Sequence, residues 1–266
     1  MINTDFHVHC DFSNDSSASM ESMVNEAVRR GFKKIAFTDH LDFYPLGEFL
    51  CDNGYDEYLL EFNKLKTKYA DNIELVFGVE VGLDPKFENE INEYIAKYPF
   101  EFIIGSSHTT GMKDHYLEEF FRGKDKKTAH TLYFREVLEN IRVFDCFNCY
   151  GHLDYISRYG PYQDKSLMYD DYQEIIDKIL RELIIRGKGV EINTSGFRYG
   201  IDSSYPSLEI LKVYKRLGGE IITVGSDAHV PEHLGWEFKK VRDILLAAGF
   251  EHYTVFSDRQ PEFVRI

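Results

Sequence analysis

Residues 4–40 read TDFHVHCDFSNDSSASMESMVNEAVRRGFKKIAFTDH. A short run with β-branched and aromatic residues, Thr4–His9, gives way to a helix-like amphipathic segment, Ser19–Arg30, and then to a second apolar run, Lys34–Thr38. Ser19 opens the helix with Glu21 and Ser22 in its first turn, and Gly31 closes it. The same alternation continues along the chain. Further strands are expected at Glu74–Val81, Phe102–Ser107, Cys149–Leu153, Gly189–Asn193 and Ile221–Ser226, with helices at Tyr55–Tyr69, Pro85–Lys97, Thr128–Asn140, Tyr169–Arg186, Ser207–Leu217 and Glu237–Ala248. Strict strand and helix alternation implies a parallel sheet with crossover helices. The expected class is α/β, a closed or nearly closed barrel of about seven βα units spanning residues 1–266 as a single domain. An open doubly wound sheet is the alternative, but no glycine-rich dinucleotide or P-loop motif supports it.

Composition narrows the function classes. With 43% hydrophobic and 15% aromatic residues among 266, the chain can bury a sizeable core. No basic leader and no membrane-length apolar stretch is visible, which points to the cytoplasm. The net charge of −14 repels nucleic acid and membrane surfaces at long range, so any attraction for an anionic substrate has to be local. The four cysteines, Cys10, Cys51, Cys146 and Cys149, make neither a disulfide framework nor a paired CxxC zinc site. Cys10 points opposite His9 in a continuing strand and reads as packing.

The chemistry lies at the strand ends. The first strand delivers His7 and His9, with Asp15 in the loop beyond; the second ends in Asp39 and His40; the third carries Glu80. The fourth ends at His108, the fifth leads to His152 and Asp154, and the seventh to Asp227 and His229. Residues two apart in an extended segment share a face, so HVH and DAH each converge on one point. Any one of these residues has an ordinary structural explanation, but six of the ten histidines fall at carboxyl ends of strands. His115, His130, His233 and His252 do not. Glu80, flanked by valines, needs a partner or a metal to offset its desolvation.

Nine ligand-type side chains exceed what one ion takes. With Glu80 bridging, His7, His9, Asp15, His40, Glu80, His108, His152, Asp227 and His229 suit three divalent ions. Imidazole and carboxylate donors are compatible with zinc, iron or manganese. Three such ions against three carboxylates leave about three positive charges in a cleft, which attracts a phosphate group. A water bridging two ions becomes a hydroxide nucleophile near neutral pH, and the ions spread charge over the phosphoryl oxygens. The reaction expected is hydrolysis of a small phosphate ester.

The series HVH, TDH, the Glu of FGVE, SSH, GH and GSDAH, in this order, resembles the polymerase and histidinol phosphatase (PHP) superfamily, over His7 to about Gly235. The resemblance implies a distorted TIM-like barrel with a trinuclear metal centre: one ion held by His7, His9, Glu80 and Asp227, a second by Asp15, His40 and His229, a third by Glu80, His108 and His152. Some members carry histidine at the position of Asp15. Within the superfamily, the length, the TDHLDF segment and the arginines of GHLDYISRYG and EINTSGFRYG resemble the stand-alone histidinol-phosphate phosphatases of histidine biosynthesis. Arg158 and Arg198 lie just beyond strand ends, where a guanidinium can grip phosphate oxygens; the alternative for each is a surface salt bridge. His233 is a candidate for contacting substrate or for protonating the leaving group, with a plain loop position as the alternative. A substrate carrying an ammonium group calls for a nearby carboxylate, with Asp42 as first candidate and Asp154 and Glu119 as competitors. Rival readings are a PHP-type phosphoesterase acting on phosphotyrosine protein or on nucleotides and nucleic acid, for which no basic patch is evident, and a metal-binding protein without catalysis.

Overall fold

The computed structural model describes residues 2–43 and 54–266. Cys51 lies outside the described residues. Seven parallel strands run in the order β1 (Thr4–Val8), β2 (Lys34–Phe37), β3 (Glu74–Gly82), β4 (Phe102–Ser106), β5 (Cys149–Tyr150), β6 (Gly189–Asn193) and β7 (Ile222–Gly225). Between β7 and β1 the sheet closes through backbone hydrogen bonds, the shortest being His9 N–H to Ala228 O (2.9 Å) and Asp227 N–H to His7 O (2.9 Å). The helices are α1 (Met20–Arg30), α2 (Tyr55–Lys68), α3 (Glu88–Lys97), α4 (Lys126–Val143), α5 (Tyr169–Ile185), α6 (Leu208–Arg216) and α7 (Phe238–Ala248). The architecture expected from the alternation is the one found, a nearly closed TIM-like α/β barrel.

Local rules place the first βαβ unit. The Ser19 side chain accepts from Ser22 N–H at the start of α1, and Gly31 takes the left-handed conformation (φ 80°) that closes it. Met20, Met23, Val24 and Ala27 form the buried stripe of α1. Along β1 the register against β2 slips between Asp5 and Val8. The slip matters because strict alternation would send Phe6 and His7 to opposite faces. Instead Phe6 meets Phe102 of β4 edge-on across the barrel (ring centroids 5.1 Å), and His7 also turns inward, to Glu80 and Glu191.

The barrel interior therefore has two layers. The lower layer is aromatic: Phe102 packs against Phe6 edge-on and against Phe256 with tilted rings, both at 5.1 Å between centroids. Phe256 belongs to an antiparallel hairpin, β8 (His252–Ser257) with β9 (Gln260–Arg265), which was not expected. The hairpin closes the amino end of the barrel: Thr254 Oγ1 accepts from Ile222 N–H (3.0 Å), Arg259 N–H donates to Glu101 O (2.8 Å), and buried Lys34 donates to Ser257 Oγ (2.9 Å). The upper layer is imidazole and carboxylate. The strand expected at Cys149–Leu153 stops at Tyr150, because His152 takes a positive φ (22°) and the chain turns into a short 3₁₀ helix, Tyr155–Arg158. No helix among the described residues is long and apolar enough to cross a membrane.

Candidate active site

The carboxyl ends of the strands surround a cavity of about 540 Å³. At its base lies Glu80, on β3, with 1% of its side chain exposed. Its Oε2 is 3.1 Å from His7 Nε2, 3.5 Å from His9 Nε2 and 3.2 Å from His40 Nδ1. Its Oε1 is 2.8 Å from His152 Nε2 and 3.3 Å from His108 Nε2, and accepts from Ser106 Oγ (2.6 Å). One carboxylate thus meets five imidazoles. Asp227 Oδ1 lies 3.6 Å from both His9 Nε2 and His229 Nδ1, and Asp15 Oδ2 lies 3.1 Å from His229 and 3.6 Å from His40. All nine ligand-type residues singled out by the strand-end pattern are brought together.

The structure provides its own test of whether these residues suit metal ions. His7 Nε2, His9 Nε2 and Glu80 Oε2 are buried with no aligned hydrogen-bond partner, a costly arrangement unless a cation meets them. Among the described residues, four sets of three ligand atoms lie within 4.8 Å of one another: His7, His9 and Asp227; His9, His40 and His229; His7, Glu80 and His152; His40, Glu80 and His108. The sets share members, as ligands of adjacent ions do.

The ring orientations agree. His7 Nδ1 donates to Glu191 (2.6 Å), His108 Nδ1 to Asp42 (2.7 Å) and His229 Nδ1 to Asp227 O (3.1 Å). Ser13 Oγ gives its proton to Asp39 (2.7 Å) and so accepts from His9 Nδ1 (3.0 Å). In all four rings the Nδ1 hydrogen is engaged, which turns the Nε2 lone pair toward the centre. Burial alone would push the Glu80 and Asp227 carboxyls up; positive charge on the surrounding imidazoles, His7 foremost, outweighs it and holds both well below the usual carboxylate range, a charge that a bound cation would replace. Burial and the neighbouring His229 and His40 push His9 well down, which keeps that imidazole neutral and able to ligate.

The walls carry the remaining residues. Arg158 lies over the Tyr199 ring (Cζ to centroid 3.4 Å) and near that of Tyr159 (4.9 Å), lines the cavity, and has no carboxylate within salt-bridge distance among the described residues. Arg198 also lines the cavity, with two of its donors held by Ser226 O (2.6 Å) and Asp227 O (2.7 Å). Among the described residues neither arginine makes the surface salt bridge that was its alternative. His233 lines the rim, packed edge-on against Trp236. Asp42 is at the cavity wall, engaged by His108, whereas its two competitors face elsewhere: Asp154 is buried and accepts from Ser207 N–H (3.1 Å), and Glu119 pairs with Lys113 (2.9 Å).

Sequence reading passed over several residues. Tyr116, Tyr159, Tyr199 and Asp114 line the mouth. Asp5 is buried and accepts from Ser226 N–H (2.9 Å) and Gly235 N–H (3.0 Å), tying the start of β1 to the loop that bears Asp227. Glu191, buried in GVEIN of β6, carries the same signal as Glu80, a carboxylate in an apolar strand, but β6 ends in Asn193 rather than in a metal-type ligand.

Comparison with known proteins gives a consistent result. Residues 5–195 match the PHP domain model. The histidinol-phosphatase of Lactococcus lactis is 38% identical over 258 residues, covering 97% of this chain and 95% of its own. A probable histidinol-phosphatase of Clostridium acetobutylicum is 33% identical, covering 88% and 89%. Among solved structures, the histidinol phosphate phosphatase of Lactococcus lactis, complexed with zinc, L-histidinol and phosphate, superposes with a TM-score of 0.92 at 36% identity, over 98% of this chain and 99% of that one.

Proposed function

The chain belongs to the PHP domain family, and from that premise we propose that it is a phosphoric monoester hydrolase that converts L-histidinol phosphate and water to L-histidinol and phosphate, in histidine biosynthesis. The observation that carries the reading is the cluster of Glu80 with five imidazoles beneath a cavity walled by two arginines. His7, His9, Glu80 and Asp227 would hold one divalent ion, Asp15, His40 and His229 a second, and Glu80, His108 and His152 a third. Zinc is the ion of the Lactococcus structure, and the same donors accept iron or manganese. Bound ions supply Lewis-acid charge to the phosphoryl group and acidify the attacking water.

The chain's own residues do the rest. Arg158, braced by Tyr199 and Tyr159, presents its fork to the phosphoryl oxygens bidentately. Arg198 is pinned by two carbonyls, so its remaining donors are preorganised along the same wall. Burial and the nearby Arg198 hold His233 below its ordinary range, so its imidazole is mostly neutral at pH 7 and suits contact with the departing alcohol. Asp42 faces the substrate's ammonium group while it orients His108. Residues from β1 and from the loop after β7 meet in one site, which supports a single barrel working as one unit. As an enzyme of amino-acid biosynthesis it is placed in the cytoplasm.

The test is phosphate release from L-histidinol phosphate, a phosphotyrosine peptide and a dinucleotide, side by side. L-histidinol phosphate is expected to have the highest kcat/KM by at least tenfold. Equal or better turnover of either competitor would overturn the substrate assignment.

A further inference from the structure

Glu191 is a buried carboxylate that touches two different ligand-bearing segments of the cluster without lining the cavity. Its Oε1 accepts from His7 Nδ1 (2.6 Å), and its Oε2 from the backbone N–H of His152 (2.8 Å) and from Asn193 Nδ2 (3.1 Å). His152 is held there at φ 22°, a conformation that costs a non-glycine residue strain. Gly225 makes the room: a Cβ at that position would stand 2.2 Å from Glu191 Oε1 and 2.4 Å from His7 Cβ.

We propose that Glu191 is a positioning residue of the metal centre, which fixes the His7 tautomer through one oxygen and the strained His152 backbone through the other. The inference rests on the metal-site reading above. Its physical content is that both oxygens must accept. A glutamine at 191 keeps the volume but brings a donor. If its amide NH₂ faces His7, the ring must carry its hydrogen on Nε2, which then points at Glu80 and cannot ligate. If the NH₂ faces His152, donor meets donor and the turn at φ 22° loses its anchor. Neither orientation satisfies both segments.

The experiment compares zinc affinity of the purified wild-type protein and Glu191→Gln by chelator competition, with kcat and KM for L-histidinol phosphate on the same samples. A long-range ¹⁵N–¹H spectrum of the zinc-loaded wild type reads the His7 ring without depending on whether the variant folds. The expected result is an Nδ1-protonated His7 in the wild type, zinc affinity and kcat lowered about 10- to 100-fold in the variant, and KM within about threefold. An Nε2-protonated His7, or zinc affinity in the variant within twofold of wild type, overturns the role of Glu191. Failure of the wild-type protein to bind zinc, iron or manganese overturns the metal-site reading itself and this inference with it.

Discussion

The two ends of the barrel obey different rules. At the amino end, Phe102 packs against Phe6 and Phe256, and the hairpin meets the strands through ordinary hydrogen bonds. At the carboxyl end, His152 and Asp227 hold positive φ angles, buried ring nitrogens face carboxylate oxygens without aligned hydrogen bonds, and two arginines stand over the space. Buried ring nitrogens and a buried carboxylate oxygen without aligned partners gather where chemistry is done, above a floor of packed aromatic rings. Barrel proteins separate stability from function along the strand axis, and this chain does so within the length of β1: Phe6 serves the floor and His7 the site.

That separation predicts an order of effects on turnover. Glu80→Gln is expected to abolish measurable phosphate release and to reduce bound metal, since two proposed ions lose a shared ligand; metal content and activity measured on one sample check both. Arg158→Ala is expected to lower kcat/KM by about 10²- to 10³-fold, as removal of a charge-stabilising donor does elsewhere. Its bound metal should match the wild type; loss of metal in that variant would make Arg158 a structural residue. At the floor the pattern reverses. Phe256→Ala should cost about 3–5 kcal/mol of stability, read from denaturant unfolding, while kcat/KM per folded molecule stays within about twofold. A large change in kcat/KM for that variant would show that the two layers are coupled rather than separate.

How far the sequence reveals the molecule also follows this division. The first βαβ unit is legible because its signals are local: Ser19 and Gly31 cap α1 as their residue types suggest. The hairpin is hidden because its turn uses Asp258 and Arg259 at positive φ in place of the usual Asn-Gly, and because Pro261 interrupts the second strand. The early end of β5 is hidden for a similar reason, since nothing in YGHLD announces that His152 will adopt a glycine-like conformation. The ligand cluster is legible because its members share one address, the carboxyl ends of strands. Glu191 and Asp5 are not, because they act through other residues and one key partner of each, His7 for Glu191 and Ser226 for Asp5, lies more than 180 positions away in the chain. Arg198 falls between the cases: its place beside the cavity is readable, but its grip on the backbone of Ser226 and Asp227 is a product of the fold alone.

The central claim is that the carboxyl-end cluster is a metal centre for phosphomonoester hydrolysis. Metal content per chain, determined on protein before and after exhaustive chelation with phosphate release from L-histidinol phosphate followed in parallel, tests it most directly. The account predicts about three divalent ions per chain, loss of turnover on their removal and its recovery on adding zinc or manganese. Undiminished turnover by protein stripped of metal would contradict it.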